Sequence, residues 1–139
     1  MRRVVIDTNI YIDWLNAGRH NDILFQRDAV KHLSAIVLME LHAGAFSAAD
    51  RRIVRRLETA FETAGRILVP SGGVFADAGD ALRRLQVEHG FHLATNHGIV
   101  NDVLIALSAR SIDATLVTQN ERHFRAIQTV RPFQLVVVH

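Results

Sequence analysis

Cysteine is absent from the 139 residues, which removes disulfides, thiolate nucleophiles and zinc-thiolate sites together and suits a reducing cytoplasm. No apolar run approaches the roughly 20 residues needed to cross a bilayer. A signal-peptide pattern is missing too, because two arginines are followed by only three apolar residues before Asp7. These absences predict a soluble, cytoplasmic protein with no membrane partner. Lysine is almost lacking: of the 16 basic residues only Lys31 is a lysine. Arginine suits phosphate recognition, since the planar guanidinium makes paired hydrogen bonds to oxyanions, but a GC-rich genome produces the same bias. The net charge of +2 is far from the broad basic field of a dedicated nucleic-acid coat protein. Internal repeats, low-complexity runs and linkers are also absent. A single domain over residues 1–139 is expected, large enough to bury roughly 70% of the surface its unfolded chain would expose.

What the sequence does contain is an alternation of strand-like and helix-like segments. Val4, Val5 and Ile6 read as a short buried strand at about residues 3–6, and TNIYIDWL follows with a helical stripe of Ile10, Trp14 and their neighbours Ile12 and Leu15. KHLSAI reads as a second strand passing into VLMELHAGAF as a helix. AADRRIVRRLETAFETAG is the clearest helix, with Ile53, Val54, Leu57, Ala60, Phe61 and Ala64 at helical spacing and Gly65 as its stop. RILVP is a third strand ended by proline. VFADAGDALRRLQVEHG carries the stripe Val74, Ala78, Leu82, Leu85 and stops at Gly90. GIVNDVLIALSARSID is apolar nearly all round, which marks a central, buried helix. ATLVTQN reads as a fourth strand entering a turn, and FQLVVVH as a fifth. Continuous apolar strands alternating with helices predict an α/β fold with a parallel sheet covered on both faces.

Three acids sit awkwardly in this pattern. Asp7 stands at the carboxyl end of the first strand, where open parallel sheets place their sites. Glu40 shares a helix face with Ile36, Ala43 and Gly44. Asp102 falls among Ile99, Ile105, Ala106 and Ala109, on the apolar stripe of the most buried helix. Each alone has an ordinary explanation: Asp7 or Thr8 as a helix cap, Asp102 as the cap of a late-starting helix, Glu40 paired with an arginine. Together they repel one another unless a cation holds them. All-oxygen donors, without cysteine or paired histidines, favour magnesium or manganese over zinc.

VVIDTNIYIDWL, AIVLMELHAG, NDVLIALSAR and LVTQNERHF, in this order across the whole chain, resemble the PIN-domain ribonucleases, most closely the VapC-like toxins of toxin-antitoxin pairs. ILVPSGGVFADAGDALRRL is similar to the middle of such toxins. The resemblance implies a three-layer α/β sandwich around a mostly parallel sheet of about five strands. It implies an acidic pocket for Mg2+ or Mn2+, and hydrolysis of RNA that leaves a 5′-phosphate and a 3′-hydroxyl. The metal-site acids it implies are Asp7, Glu40 and Asp102, with Thr8 and Asn9 orienting Asp7. The fourth position departs from the family. Where relatives carry an Asp or Asn and then an acid before Phe, this chain reads Thr118, Gln119, Asn120, Glu121, Arg122, His123, Phe124. Asn120 fits the fourth place as a ligand to water or metal, supported by Thr118, and Glu121 ranks below it. A site with fewer charges is expected to hold one ion tightly and gain a second with substrate.

The resemblance also implies partners: an RNA substrate, a small cognate antitoxin that blocks the pocket, and a second copy in a homodimer. Trp14, Phe46 and Phe61 are candidates for those contacts or for the core. Arg51, Arg52, Arg55 and Arg56 in RRIVRR form either a solvated helix face or an RNA-backbone contact. His89, His92 and His97 read as surface histidines, and His123 as a neighbour of substrate phosphate. Three other readings stay open on the sequence: a PIN nuclease of RNA maturation or decay, a phosphotransferase using Asp7 as nucleophile, and a non-catalytic binding module.

Overall fold

The β-branched run Val4, Val5, Ile6 becomes the middle of the sheet. The computed structural model describes residues 1–139, in which β1 (Arg2–Ile6) pairs with β2 (Ala29–Ser34) on one side and β4 (Thr115–Thr118) on the other. β3 (Ile67–Leu68) and β5 (Gln134–Val137) close the edges, so the order is β3-β2-β1-β4-β5, with every pairing parallel. Successive strand side chains point to opposite faces, yet Val4, Val5 and Ile6 are all at most 1% exposed. Both faces of β1 are therefore covered. β4 is buried at all of its positions, whereas edge strand β5 alternates between exposed and half-buried.

The covering layers are helical. α1 (Thr8–Ala17) and α4 (Ala48–Thr63) pack against α3 (Ala35–Ala43), while α5 (Gly72–His89), α6 (Ile99–Ser111) and α7 (Glu121–Val130) pack on one another. A short α2 (Asn21–Leu24) follows α1. This is the expected α/β sandwich. α6 is buried without interruption from Asp102 to Ala109, as its all-round apolar sequence requires. α4 begins with Ser47 Oγ accepting from the Asp50 amide at 3.0 Å and stops before Gly65, whose φ of +69° is left-handed. Gly90, at φ +67°, ends α5 in the same way. No helix is long and apolar enough to cross a membrane.

Two details differ from the sequence reading. β2 stops at Ser34 and does not run on to Ile36, because Ser34 Oγ accepts from the Ile36 amide at 3.1 Å and starts α3. The segment read as a turn after the fourth strand is mostly helix: α7 begins at Glu121, capped by Asn120, and buries Phe124, Ile127 and Val130.

Candidate active site

The carboxyl end of β1 meets that of β4 where the chain turns into α1 and α7. Asp7 continues the ladder through its amide, which donates to Val117 O at 2.9 Å, and its side chain also caps α1. Its Oδ1 accepts from the Thr8 amide at 2.8 Å and its Oδ2 from Thr118 Oγ1 at 2.7 Å. With 4% exposure, burial holds this carboxyl above its ordinary range; hydrogen bonds from Thr118 and Thr8 act against the rise, and the charge of Glu40 adds to it. Asp7 is thus a cap and a buried acid at once.

Glu40 reaches the same place from α3. Its Oε1 accepts from Thr8 Oγ1 at 2.7 Å, and neither of its oxygens meets an arginine. Asp102 comes from the first turn of α6, where its amide already donates to Gly98 O at 2.8 Å, so it stands inside the helix and does not cap it. Its Oδ2 accepts from His123 Nδ1 at 2.7 Å and from Asn120 Nδ2 at 3.3 Å. Burial, then the charges of Asp7 and Glu40, push the Asp102 carboxyl up to about 8. The three acids therefore feel one another electrostatically, and no lysine or arginine forms an ion pair with any of them.

The remaining candidates divide. Thr118 links two parts of the pocket, donating to Asp7 and accepting from the Asn120 amide at 2.9 Å. Asn9 Oδ1 accepts from the Gln119 amide at 3.4 Å and ties the start of α1 to the end of β4. Asn120 turns its Oδ1 to the α7 cap and its Nδ2 to Asp102. Glu121 is exposed and pairs with Arg125 at 3.6 Å. The spacing of residues does not reveal that His123 hydrogen-bonds Asp102, nor that Gln119 Nε2 donates to Asp13 Oδ2 at 3.0 Å beside the nearly buried His20 ring. Both depend on α7 and the turn before it.

Elsewhere, Trp14 meets Phe25 edge-on at 5.8 Å, and with Tyr11, Leu24, Leu57 and Phe61 lines a small apolar hollow. Phe46 is 87% exposed. His89 Nε2 lies 2.7 Å from Thr129 Oγ1 on the surface.

As the side chains stand, no three of the His, Asp and Glu groups are gathered closely enough to hold a metal ion together. A hard divalent cation fits the pocket through its donor chemistry instead: carboxylate oxygens, two of the groups buried and one half-buried, mutually repelling and without an internal counter-charge. Glu40 Oε2 and Asp102 Oδ1 carry no hydrogen bond from the protein and are the oxygens open to such an ion.

The PIN domain family model matches residues 4–129. No curated protein matches the chain significantly. Among solved structures, VapBC2 from Rickettsia felis bound to a promoter DNA fragment is similar at TM-score 0.70 and 24% identity, over 99% of each chain. VapBC-1 from nontypeable Haemophilus influenzae is similar at TM-score 0.67 and 25% identity, over 97% of each chain. DNA-bound VapBC from Salmonella typhimurium gives 0.70 and 22%, over 99% of this chain and 98% of that one.

Proposed function

The chain belongs to the PIN-domain family, whose members are nucleases, and from that premise we propose that it is a divalent-metal-dependent endoribonuclease acting as the toxin of a toxin-antitoxin pair. One observation carries the reading: Asp7, Glu40 and Asp102 arrive from three elements at one end of the sheet, with no lysine or arginine to neutralise them.

The residues take distinct tasks. Asp7, Glu40 and Asp102 would hold Mg2+ or Mn2+, which would supply positive charge against the scissile phosphate and lower the pKa of a bound water. Asp7 is fixed in place by the Thr8 amide and the Thr118 hydroxyl. Thr8 Oγ1 orients Glu40 through Oε1, which leaves Oε2 as the oxygen that Glu40 would turn to the ion. Asn120 and His123 fix the rotamer of Asp102 from the start of α7. Asn9 holds the β4 turn against α1, and Glu121 stays outside the reaction.

Two further similar solved structures, VapBC-5 from Mycobacterium tuberculosis and a complex from Klebsiella pneumoniae, are described as toxin-antitoxin systems, which supports a small antitoxin as partner here; a homodimer in the cytoplasm completes the proposal. The test is cleavage of total cellular RNA by purified protein with Mg2+, Mn2+ or EDTA, beside Asp102→Ala. Cutting that needs metal and disappears in the variant is expected. A wild type that cuts nothing with either metal, or a variant that cuts equally well, overturns the proposal.

A further inference from the structure

We infer that Arg122 is the phosphate anchor for the RNA strand, a guanidinium pinned at the rim of the acidic pocket by Phe91. The inference rests on the nuclease reading above and assigns a substrate contact that the three acids cannot supply. The Arg122 guanidinium carbon lies over the Phe91 ring, 5.5 Å from its centroid. Phe91 in turn meets the His123 imidazole edge-to-face at 5.7 Å, and His123 is the residue that hydrogen-bonds Asp102 at 2.7 Å. A short row of contacts, Arg122 to Phe91 to His123, thus ends on a pocket carboxylate.

What matters is what the guanidinium leaves unused. The ring lies to one side of the guanidinium, and the five N–H donors of that group lie in its plane. None of them is engaged inside the protein. Neighbouring Glu121 is taken by Arg125 at 3.6 Å, and Asp102 is taken by His123 and Asn120. Arg84 is spent on Glu88 and Val130 O and Arg110 on Pro132 O, while the unpaired Arg52, Arg55 and Arg56 of α4 have no aromatic ring against them. Arg122 is instead held still by an aromatic ring, exposed, and free to donate. A phosphodiester approaching three carboxylates is repelled before any metal contact forms, and a fixed fork of donors beside them offsets that repulsion with two parallel charge-assisted bonds. Phe91 is only 6% exposed, so the ring is a platform for the arginine and not a surface for stacking a base. The ligand chemistry is therefore a backbone phosphate of single-stranded RNA, reached from the His123 side of the pocket.

The experiment measures kcat and KM on an RNA oligonucleotide at saturating Mn2+ for wild type, Arg122→Gln, Arg122→Lys and Phe91→Leu, between about 50 and 200 mM salt. Arg122→Gln is expected to raise KM about tenfold, with a smaller change in kcat. The slope of log(kcat/KM) against log salt should lose about 0.7, the share of one phosphate contact on a single strand. Arg122→Lys should restore most of the slope but not the KM, since the charge returns without the planar fork. Phe91→Leu should keep the slope and raise KM, because the charge stays and its fixed position is lost. Calorimetric titration of Mn2+ should be unchanged by Arg122→Gln. An Arg122→Gln protein with unchanged KM and slope but a lowered Tm makes Arg122 a mere cover for Phe91 and overturns the anchor alone. A wild type that cuts no RNA overturns the nuclease reading instead.

Discussion

The acidic pocket and the outer face of α4 each gather charge of one sign, and the fold treats them in opposite ways. Asp7 and Asp102 are 4% and 9% exposed, held by hydroxyl, amide and imidazole donors and given no cationic partner. Arg52, Arg55 and Arg56 are exposed along α4, around an open surface hollow, and Arg51 reaches only the carbonyl of Phe46 at 2.8 Å. Like charges in water are screened and cost little. Like charges taken out of water cost several kcal/mol each unless something outside the protein restores the balance. Arginine count alone would have drawn attention to α4; burial draws it to the acids.

The sharpest way to break this comparison is to neutralise one buried acid. Asp7→Asn should lower RNA cleavage at saturating Mn2+ by about 10³-fold, the scale of losing several kcal/mol of metal-borne charge stabilisation; a loss of less than about tenfold would put Asp7 outside the chemistry. A smaller effect is expected from Thr118→Val, which keeps the shape of the side chain but removes the hydroxyl that fixes Asp7 Oδ2. Mn2+ affinity by calorimetry should fall about 10-fold to 100-fold. An unchanged affinity would reduce Thr118 to a strand residue.

The pH response sharpens the contrast further. Asp102 ordinarily titrates at 3.8 and in the fold is pushed up to about 8. Between those values the folded chain keeps a proton that the unfolded chain releases. The contribution of Asp102 to the stability of the metal-free protein should therefore be fully present below about pH 3.8 and be lost as pH rises through about 8. Asp102→Asn should cancel that decline and raise the metal-free Tm at alkaline pH by about 5 °C, read by thermal denaturation in EDTA across the range. A Tm of the variant that tracks wild type at every pH would mean that Asp102 is not the strained group. The smallest effect belongs to α4. The triple substitution Arg52→Gln, Arg55→Gln, Arg56→Gln should shift Tm by no more than about 2 °C, and a larger loss would show that this face is more than solvated charge.

Much of this was legible because hydrophobic periodicity and chemistry agree. Val4, Val5 and Ile6 could only be a buried strand, and the segment around Asp102 could only be a buried helix, so the misplaced acids stood out. α7 was missed although Phe124, Ile127 and Val130 follow helical spacing, because its cap Asn120 and the polar residues after it read equally well as a turn. Without α7, the contacts of His123 with Asp102 and of Arg122 with Phe91 have no geometry. α2, at four residues, is too short to show a period. Ser34 illustrates the reverse: its alternation with Leu33 reads as strand, but its hydroxyl decides the boundary by starting α3.

The hydrogen bond between Thr118 and Asp7 joins residues 111 positions apart, and that separation has a consequence in time. During synthesis β1 and Glu40 leave the ribosome long before β4 exists. Parallel pairing across such a distance is slow, since the closure entropy of the whole intervening chain is lost before the contacts form. Until then Asp7 lacks its hydroxyl donor, and neither Asp102 nor His123 has been made. A nascent chain of this architecture therefore has no complete acidic pocket until nearly its last strand is in place.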